Sequence, residues 1–191
     1  MNSYVELLTI ASVVWIAFEI GLVIRDRMQG KGATTRDQGT RLINFIAIFV
    51  GMTASFNLIR FSQFWFPGGQ TLAVFWLGFT LLMCGAALRL WSVIVLGSSF
   101  RTTVEISKNQ QVVQRGPYRL IRHPSYSGAL LMCLGYGIAD QSWLSLVIAV
   151  GLPLMAILYR IHIEEAALVN GIGAEYQEYQ QHTKKLIPGI W

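Results

Sequence analysis

Residues 125–139 read SYSGALLMCLGYGIA, residues 140–142 read DQS, and residues 143–163 read WLSLVIAVGLPLMAILYRIHI. Two apolar runs with only Asp140, Gln141 and Ser142 between them leave room for nothing but a turn. If both runs are helical they form a tight antiparallel hairpin. A helix needs about 20 apolar residues to cross the hydrocarbon core of a bilayer. The run at 143–163 meets that length, and the run at 125–139 is short for it. Toward the N-terminus three further runs qualify, at residues 4–24, 42–59 and 71–96. The predicted fold is an all-α integral membrane protein of five transmembrane helices, the last two forming the hairpin.

Composition agrees. The chain has 191 residues, of which 53% are apolar and 13% charged, where a soluble domain carries about a quarter charged. Mean hydropathy is +0.48. These values exclude a disordered chain, a disulfide scaffold and an ordinary soluble enzyme. The two cysteines, Cys84 and Cys133, lie inside apolar runs and read as small buried hydrophobes. The N-terminus has no basic segment and no small-residue cleavage site, so the first run is expected to be retained as a span.

Net charge is +5, and 13 of the 15 basic residues fall on one side of the predicted membrane: Arg25 to Arg41, Arg101 to Arg122, and Arg160, Lys184 and Lys185. Arg60 alone lies on the other side, and Arg89 within the third run. The positive-inside rule then puts the N-terminus outside and the C-terminus in the cytoplasm. Basic residues confined to such loops also exclude a nucleic-acid binder. The expected location is the cytoplasmic membrane if the source is prokaryotic and the endoplasmic reticulum if it is eukaryotic.

No internal repeat is present. The expected organisation is three N-terminal helices over residues 1–96, then a unit over 97–191 comprising a loop, the hairpin and a C-terminal helix. In the loop, residues 102–106 and 111–113 look extended, with a turn at Ser107, Lys108 and Asn109. Residues 164–181 read as a helix leaving the membrane, weakened at Gly171 and Gly173, and Pro188-Gly189 is expected to end the ordered part.

Three constellations could carry chemistry. The densest is Gly116-Pro117-Tyr118-Arg119-Leu120-Ile121-Arg122-His123-Pro124-Ser125-Tyr126-Ser127-Gly128, where the loop re-enters the membrane. Pro124 suits the first turn of the following helix, whose free N–H groups favour anionic ligands. The alternative is an interfacial anchor, with arginines on headgroups and tyrosines in the aromatic belt. The second is Arg160, His162, Glu164 and Glu165 at the end of the fifth run. Arg160 and Glu164 share a helix face and could be a surface ion pair, but adjacent glutamates at that depth are costly unless used. The hairpin brings His123 and Glu164 to the same membrane surface. The third is Glu19 with Arg89, two intramembrane charges expected to pair or to line a cavity, unless Arg89 snorkels. There is no G-x-G-x-x-G after a strand, no P-loop and no H-E-x-x-H.

The stretch from Gln111-Val112-Val113 to Gly128, with Arg-His-Pro-Ser-Tyr-x-Gly at its centre, resembles the isoprenylcysteine carboxyl methyltransferase family, within the phospholipid N-methyltransferase superfamily. The second half is similar as well: Arg160-x-x-x-Glu164-Glu165, then Gly173-x-Glu175-Tyr176-x-x-Tyr179, then Leu186-x-Pro188. The resemblance covers about residues 97–190. It implies an integral-membrane methyltransferase using S-adenosylmethionine on a lipophilic acceptor, such as a prenylated cysteine, amid membrane lipids. Carried over by position, Gln110, Gln111, Val112, Val113, Tyr118, His123, Pro124, Ser125, Tyr126 and Glu164 would bind the cofactor. Arg160 would bind the substrate and act as the catalytic residue, and Glu105 falls near a cofactor-binding position.

The chemistry fits these roles. Displacement at a sulfonium methyl is governed by positioning. A carboxylate such as Glu164 accepts hydrogen bonds from a ribose diol or an ammonium. Tyrosine faces suit adenine or a sulfonium, and an arginine grips a carboxylate. A carboxylate acceptor needs no general base, being ionised near neutral pH. An ammonium acceptor needs one, and His123 or Glu165 could serve. The competing readings are phospholipid headgroup N-methylation, methylation of another small hydrophobic acceptor, a nicotinamide-dependent reductase, and a non-catalytic scaffold or transporter.

Overall fold

The structure, a computed structural model, describes residues 3–29, 34–35, 39–58, 65–67, 71–100, 105–106 and 112–191. Its helices are α1 (Ser3–Gln29), α2 (Thr40–Leu58), α3 (Leu72–Leu96), α4 (Pro124–Ala139), α5 (Trp143–Ile172) and α6 (Ala174–His182). Two residues of extended chain, β1 (Thr34–Thr35), pair antiparallel with β2 (Glu105–Ile106). Among the described residues, three helices are long and apolar enough to cross a membrane: α1 over Tyr4–Asp26, α3 and α5. Large apolar side chains such as Val13, Val14, Leu77, Ile94, Val147 and Met155 face outward from them. A surface of that kind is stable in hydrocarbon, and the chain is an integral membrane protein.

Helix ends follow local chemistry. The Thr71 hydroxyl accepts from the Val74 N–H and caps α3, and Ser142 caps α5 by accepting from the Ser145 N–H. Gly97, at φ +54°, closes α3 with its N–H on the Val93 carbonyl.

The tightest packing joins α3 to α4. Gly78 and Gly85 on α3 face Gly135 and Gly128 on α4, both pairs seven residues apart. A methyl group on Gly85 would stand 2.6 Å from the Met132 nitrogen and 2.7 Å from the Gly128 oxygen. The two backbones are therefore in direct contact, a close approach that small residues permit in membranes. Elsewhere Gly51 of α2 lies against Ile148 and Ala149 of α5, and Leu8 and Trp15 of α1 join the core around Phe75, Leu82 and Met132.

Residues 140–142 carry the chain from α4 into α5. Gln141 takes a positive φ of 57°. Its carbonyl accepts from the Phe66 N–H at 3.0 Å and its side chain from the Thr71 N–H at 2.5 Å, which fixes this turn against the start of α3.

Two expectations at the C-terminus are corrected. The fifth helix does not end near Ile163; α5 runs unbroken to Ile172, because nothing at 163–164 interrupts it. The break comes at Gly173, at φ +78°, so the separate C-terminal helix is α6 and starts ten residues later than the predicted one at 164. Nor does order stop at Pro188-Gly189. The N–H groups of Leu186 and Ile187 donate to the Trp191 carbonyl at 2.8 and 2.7 Å, closing the tail into a turn.

Candidate functional site

The start of α4 is held from two sides. Arg89, one turn beyond Gly85 on α3, donates from NH1 to the Ser125 carbonyl at 3.1 Å and to its hydroxyl at 2.8 Å. The same guanidinium pairs with Glu19 of α1 through Nε at 2.5 Å and NH2 at 2.6 Å, and the Trp15 indole donates to that carboxylate at 3.0 Å. The expected Glu19–Arg89 pair thus forms, with both residues on a cavity wall. From the other side the C-terminal strap reads the backbone. The Arg122 N–H donates to the Lys184 carbonyl at 2.7 Å, the His123 N–H to Lys185 at 3.0 Å, and the Ser127 hydroxyl to Leu186 at 2.6 Å. Leu186 is buried against Ala129, Ile157 and Ile161. This explains why the Leu-x-Pro tail accompanies the Arg-His-Pro motif in the sequence.

Arg122 and Glu165 form the lock of that strap. Arg122 Nε donates to Glu165 Oε1 at 2.8 Å, and its NH1 donates to the carbonyls of Gln180, at 3.1 Å, and Thr183. His123 Nε2 and Lys185 Nζ also lie 3.3 and 3.4 Å from Glu165 oxygens. Three basic groups therefore surround Glu165, which is absent from the cavity lining. This geometry fits an anchor better than a proton acceptor.

Glu164, its neighbour, faces the cavity. The Tyr126 hydroxyl donates to Glu164 Oε2 at 2.6 Å and accepts from Arg160 Nε at 2.6 Å. Arg160 NH1 donates to the Thr40 hydroxyl at 3.1 Å, and Arg160 is 3% exposed. The spacing of Arg160 and Glu164 on α5 thus serves a relay through Tyr126 rather than a direct surface pair. The His123 ring stacks on Tyr126 with centroids 5.5 Å apart.

One cavity of about 380 Å³ runs past these groups. Of the sequence-expected residues, Val112, Val113, Tyr118, His123, Ser125, Tyr126, Arg160 and Glu164 line it. Pro124 is buried at the first turn of α4, as expected, but stands outside the lining. Gln110 and Gln111, and the turn expected at Ser107–Asn109, fall outside the described residues. Glu105 lies in β2, inside the segment read as extended.

The sequence reading gave no site role to the residues of two parts of the wall. Tyr176 and Tyr179 of α6 join it, and the Tyr179 hydroxyl donates to the Tyr118 carbonyl at 2.6 Å. The Val112 N–H donates to Glu175 at 3.3 Å, tying the loop to the same helix. Burial pushes the Tyr118 and Tyr176 phenols far above their ordinary range and Tyr179 to about 12. These phenols stay neutral and offer donors and ring faces rather than base catalysis. The second is apolar: Ile16 of α1 and Phe45, Ile48 and Met52 of α2 also line the cavity. The α2 positions follow a helical period, but in a helix apolar on every side that period is not visible.

The family model for phospholipid methyltransferases matches residues 73–174. The chain belongs to the phospholipid methyltransferase family. It is a methyltransferase, and its relatives include isoprenylcysteine carboxyl methyltransferases. A probable protein-S-isoprenylcysteine O-methyltransferase of Oryza sativa subsp. indica is 29% identical over 146 residues, covering 75% of this chain and 73% of that protein. Methanethiol S-methyltransferase of a Pseudomonas strain is 30% identical over 134 residues, 63% of this chain and 46% of the relative. A solved structure of the eukaryotic intramembrane Ras methyltransferase, isoprenylcysteine carboxyl methyltransferase, superposes with a TM-score of 0.63 at 29% identity. It covers 74% of this chain, which spans about half of that protein (52%). The matched family region runs from α3 to the start of α6, so it includes the glycine seam, both charged motifs and most of the relay.

Proposed function

We propose that the chain transfers a methyl group from S-adenosylmethionine to the carboxylate of an isoprenylcysteine-like lipid acceptor. The observation that carries this reading is a cavity lined by two unlike groups of residues: Tyr118, His123, Tyr126 and Glu164, and apolar side chains of α1 and α2, with Arg160 bonded to both Tyr126 and Thr40. The polar end fits the cofactor by donor type. Glu164 would take its ribose diol or ammonium, and Tyr118 and Tyr126 offer ring faces to its adenine or sulfonium. Val112, Val113, His123 and Ser125 would complete the wall, with Pro124 starting the helix behind it, and Gln110 and Gln111 would contact the cofactor as the family resemblance implies. S-adenosylmethionine supplies an electrophilic methyl group when bound.

Arg160, oriented by Tyr126 and Thr40, would hold the acceptor carboxylate. The burial of these groups excludes water and strengthens the attraction of guanidinium for carboxylate. Glu165, the base that an ammonium acceptor could use, is engaged by Arg122, His123 and Lys185, which favours an acceptor already ionised. Similarity to a methanethiol S-methyltransferase gives a second reading, a small thiol acceptor, but the cavity is lined by more apolar side chains than so small a molecule would touch.

The reading includes five spans, with α2 and α4 crossing as well and α4–α5 as a transmembrane hairpin. It also includes an outside N-terminus, a cytoplasm-facing site and residues 97–191 as the methyltransferase core. The test is transfer of labelled methyl from S-adenosylmethionine to N-acetyl-S-farnesylcysteine by purified protein in lipid. Transfer is expected, and Arg160→Ala should lower kcat/KM by about 100-fold, the cost of stranding a buried charge partner. S-adenosylhomocysteine affinity should stay within about threefold, since Arg160 serves the acceptor. Equal loss of both would move Arg160 to the cofactor.

A further inference from the structure

All three guanidinium nitrogens of Arg89 are engaged. Its Nε and NH2 hold the two oxygens of Glu19 at 2.5 and 2.6 Å, and its NH1 holds the Ser125 carbonyl at 3.1 Å and hydroxyl at 2.8 Å. A guanidinium is a rigid planar fork, so gripping two of its nitrogens fixes where the third points. Glu19 therefore aims Arg89 at Ser125. The carboxylate is itself aimed, because the Trp15 indole donates to its Oε1 at 3.0 Å. Trp15 is buried in the core cluster that includes Leu82 of α3, and Leu22 shares a second cluster with Val93 of α3. Trp15, Glu19 and Leu22 lie on one face of α1, and Leu82, Arg89 and Val93 on one face of α3. Apolar contacts on either side thus set the register that places Glu19 opposite Arg89.

The far end of this chain of contacts is the cavity. A methyl group on Gly128 would stand 2.8 Å from the Arg89 nitrogen, so the Arg89 backbone abuts α4 and its side chain reaches one turn back to Ser125. His123, Ser125 and Tyr126 all line the cavity, and the two rings are stacked. We propose that Glu19 is a positioning residue for the methyl-donor site: by orienting Arg89 it fixes Ser125, and with it the turn that presents His123 and Tyr126 to the cofactor. The inference rests on the methyl-donor reading above and adds to that site a residue of α1, outside the matched region 73–174. Holding α1 on α3 does not require the pair. A buried ion pair often stabilises no more than apolar side chains of the same volume, and Trp15 and Leu22 already supply apolar contact. What the pair adds is direction.

The experiment titrates S-adenosylhomocysteine calorimetrically into wild-type protein, Glu19→Gln, Glu19→Leu and the double variant Glu19→Leu/Arg89→Met, with thermal unfolding measured on each. A pair that served stability alone would lower the melting temperature and the fraction of protein that binds, and would leave the Kd of the folded fraction unchanged. The positioning role changes the Kd. Glu19→Leu should weaken binding about tenfold or more, the scale of losing a group that supports a site's geometry. Glu19→Gln keeps an acceptor for Arg89 and should stay within about threefold of wild type. The double variant strands no charge, so its melting temperature should return toward the wild-type value. Its binding should stay about tenfold weak, because Ser125 has lost both bonds. This variant carries the test if Glu19→Leu does not fold. Wild-type Kd in the double variant, or in folded Glu19→Leu, overturns the inference alone. Wild-type protein that does not bind S-adenosylhomocysteine overturns the methyl-donor reading, and this inference with it.

Discussion

The two walls of the cavity are built on different principles. The wall formed by α4, α5, α6 and the tail is polar and cross-linked: Arg122, His123, Tyr126, Arg160, Glu164 and Glu165 bond to one another or to backbone carbonyls. The wall formed by α1 and α2 is mostly apolar, and it reaches the other through Glu19–Arg89 and Thr40–Arg160. The polar wall holds its shape through directional bonds, each of which constrains residue type. The apolar wall needs only volume and hydrophobicity, which many sequences supply. In the function proposed above, the first kind of wall would take a donor molecule of fixed shape and the second the acceptor's tail.

The polar wall can be disturbed at the seam where its α4 packs on α3. Gly135→Ala adds a methyl group against the Gly78 carbonyl, 2.6 Å away, and against the Leu82 backbone. The helices must separate, and the expected loss is about 3 kcal/mol in detergent unfolding, at the high end for overpacking because backbone rather than side chain must move. Gly21→Ala in α1 meets nothing within 4 Å. It should change stability in the opposite direction by up to about 1 kcal/mol, from helix propensity alone. If the two substitutions behave alike, the close contact of α3 with α4 is not what orders the bundle.

The polar wall can be tested by itself. Arg122→Ala strips Glu165 of its shortest partner and leaves the Gln180 and Thr183 carbonyls without that donor. Both side chains are at most 12% exposed, so solvent replaces little. A loss of about 2–3 kcal/mol is expected, with earlier proteolysis of the tail after Gln180. An unchanged digestion pattern would show that the strap is held by its apolar contacts through Leu186.

The sequence disclosed these walls unequally, for the same physical reason. Arg160, Glu164, the Arg-His-Pro turn and the Glu19–Arg89 pair were legible because charges at membrane depth demand partners. The start and end of α4 followed from Pro124 and from the polar triplet at 140–142. The true end of α5 was not legible, since a helix does not stop at a change of polarity; it stopped where Gly173 could take a positive φ. The apolar arm was hidden because Phe45 and Ile48 differ in no local respect from Ile46, which is exposed. The role of the tail was hidden because strands and straps of two or three residues leave no periodic signal.

The account's central claim is that the polar wall binds the methyl donor and the apolar wall binds the acceptor. Calorimetric titration of S-adenosylhomocysteine into wild-type, Glu164→Ala and Ile48→Trp proteins tests it most directly. The account expects wild type and Ile48→Trp to bind alike, and Glu164→Ala to bind at least about 30-fold more weakly, the cost of losing a charge-assisted hydrogen bond in a buried site. Normal affinity in Glu164→Ala, or loss of binding in Ile48→Trp protein that is still folded, would contradict it.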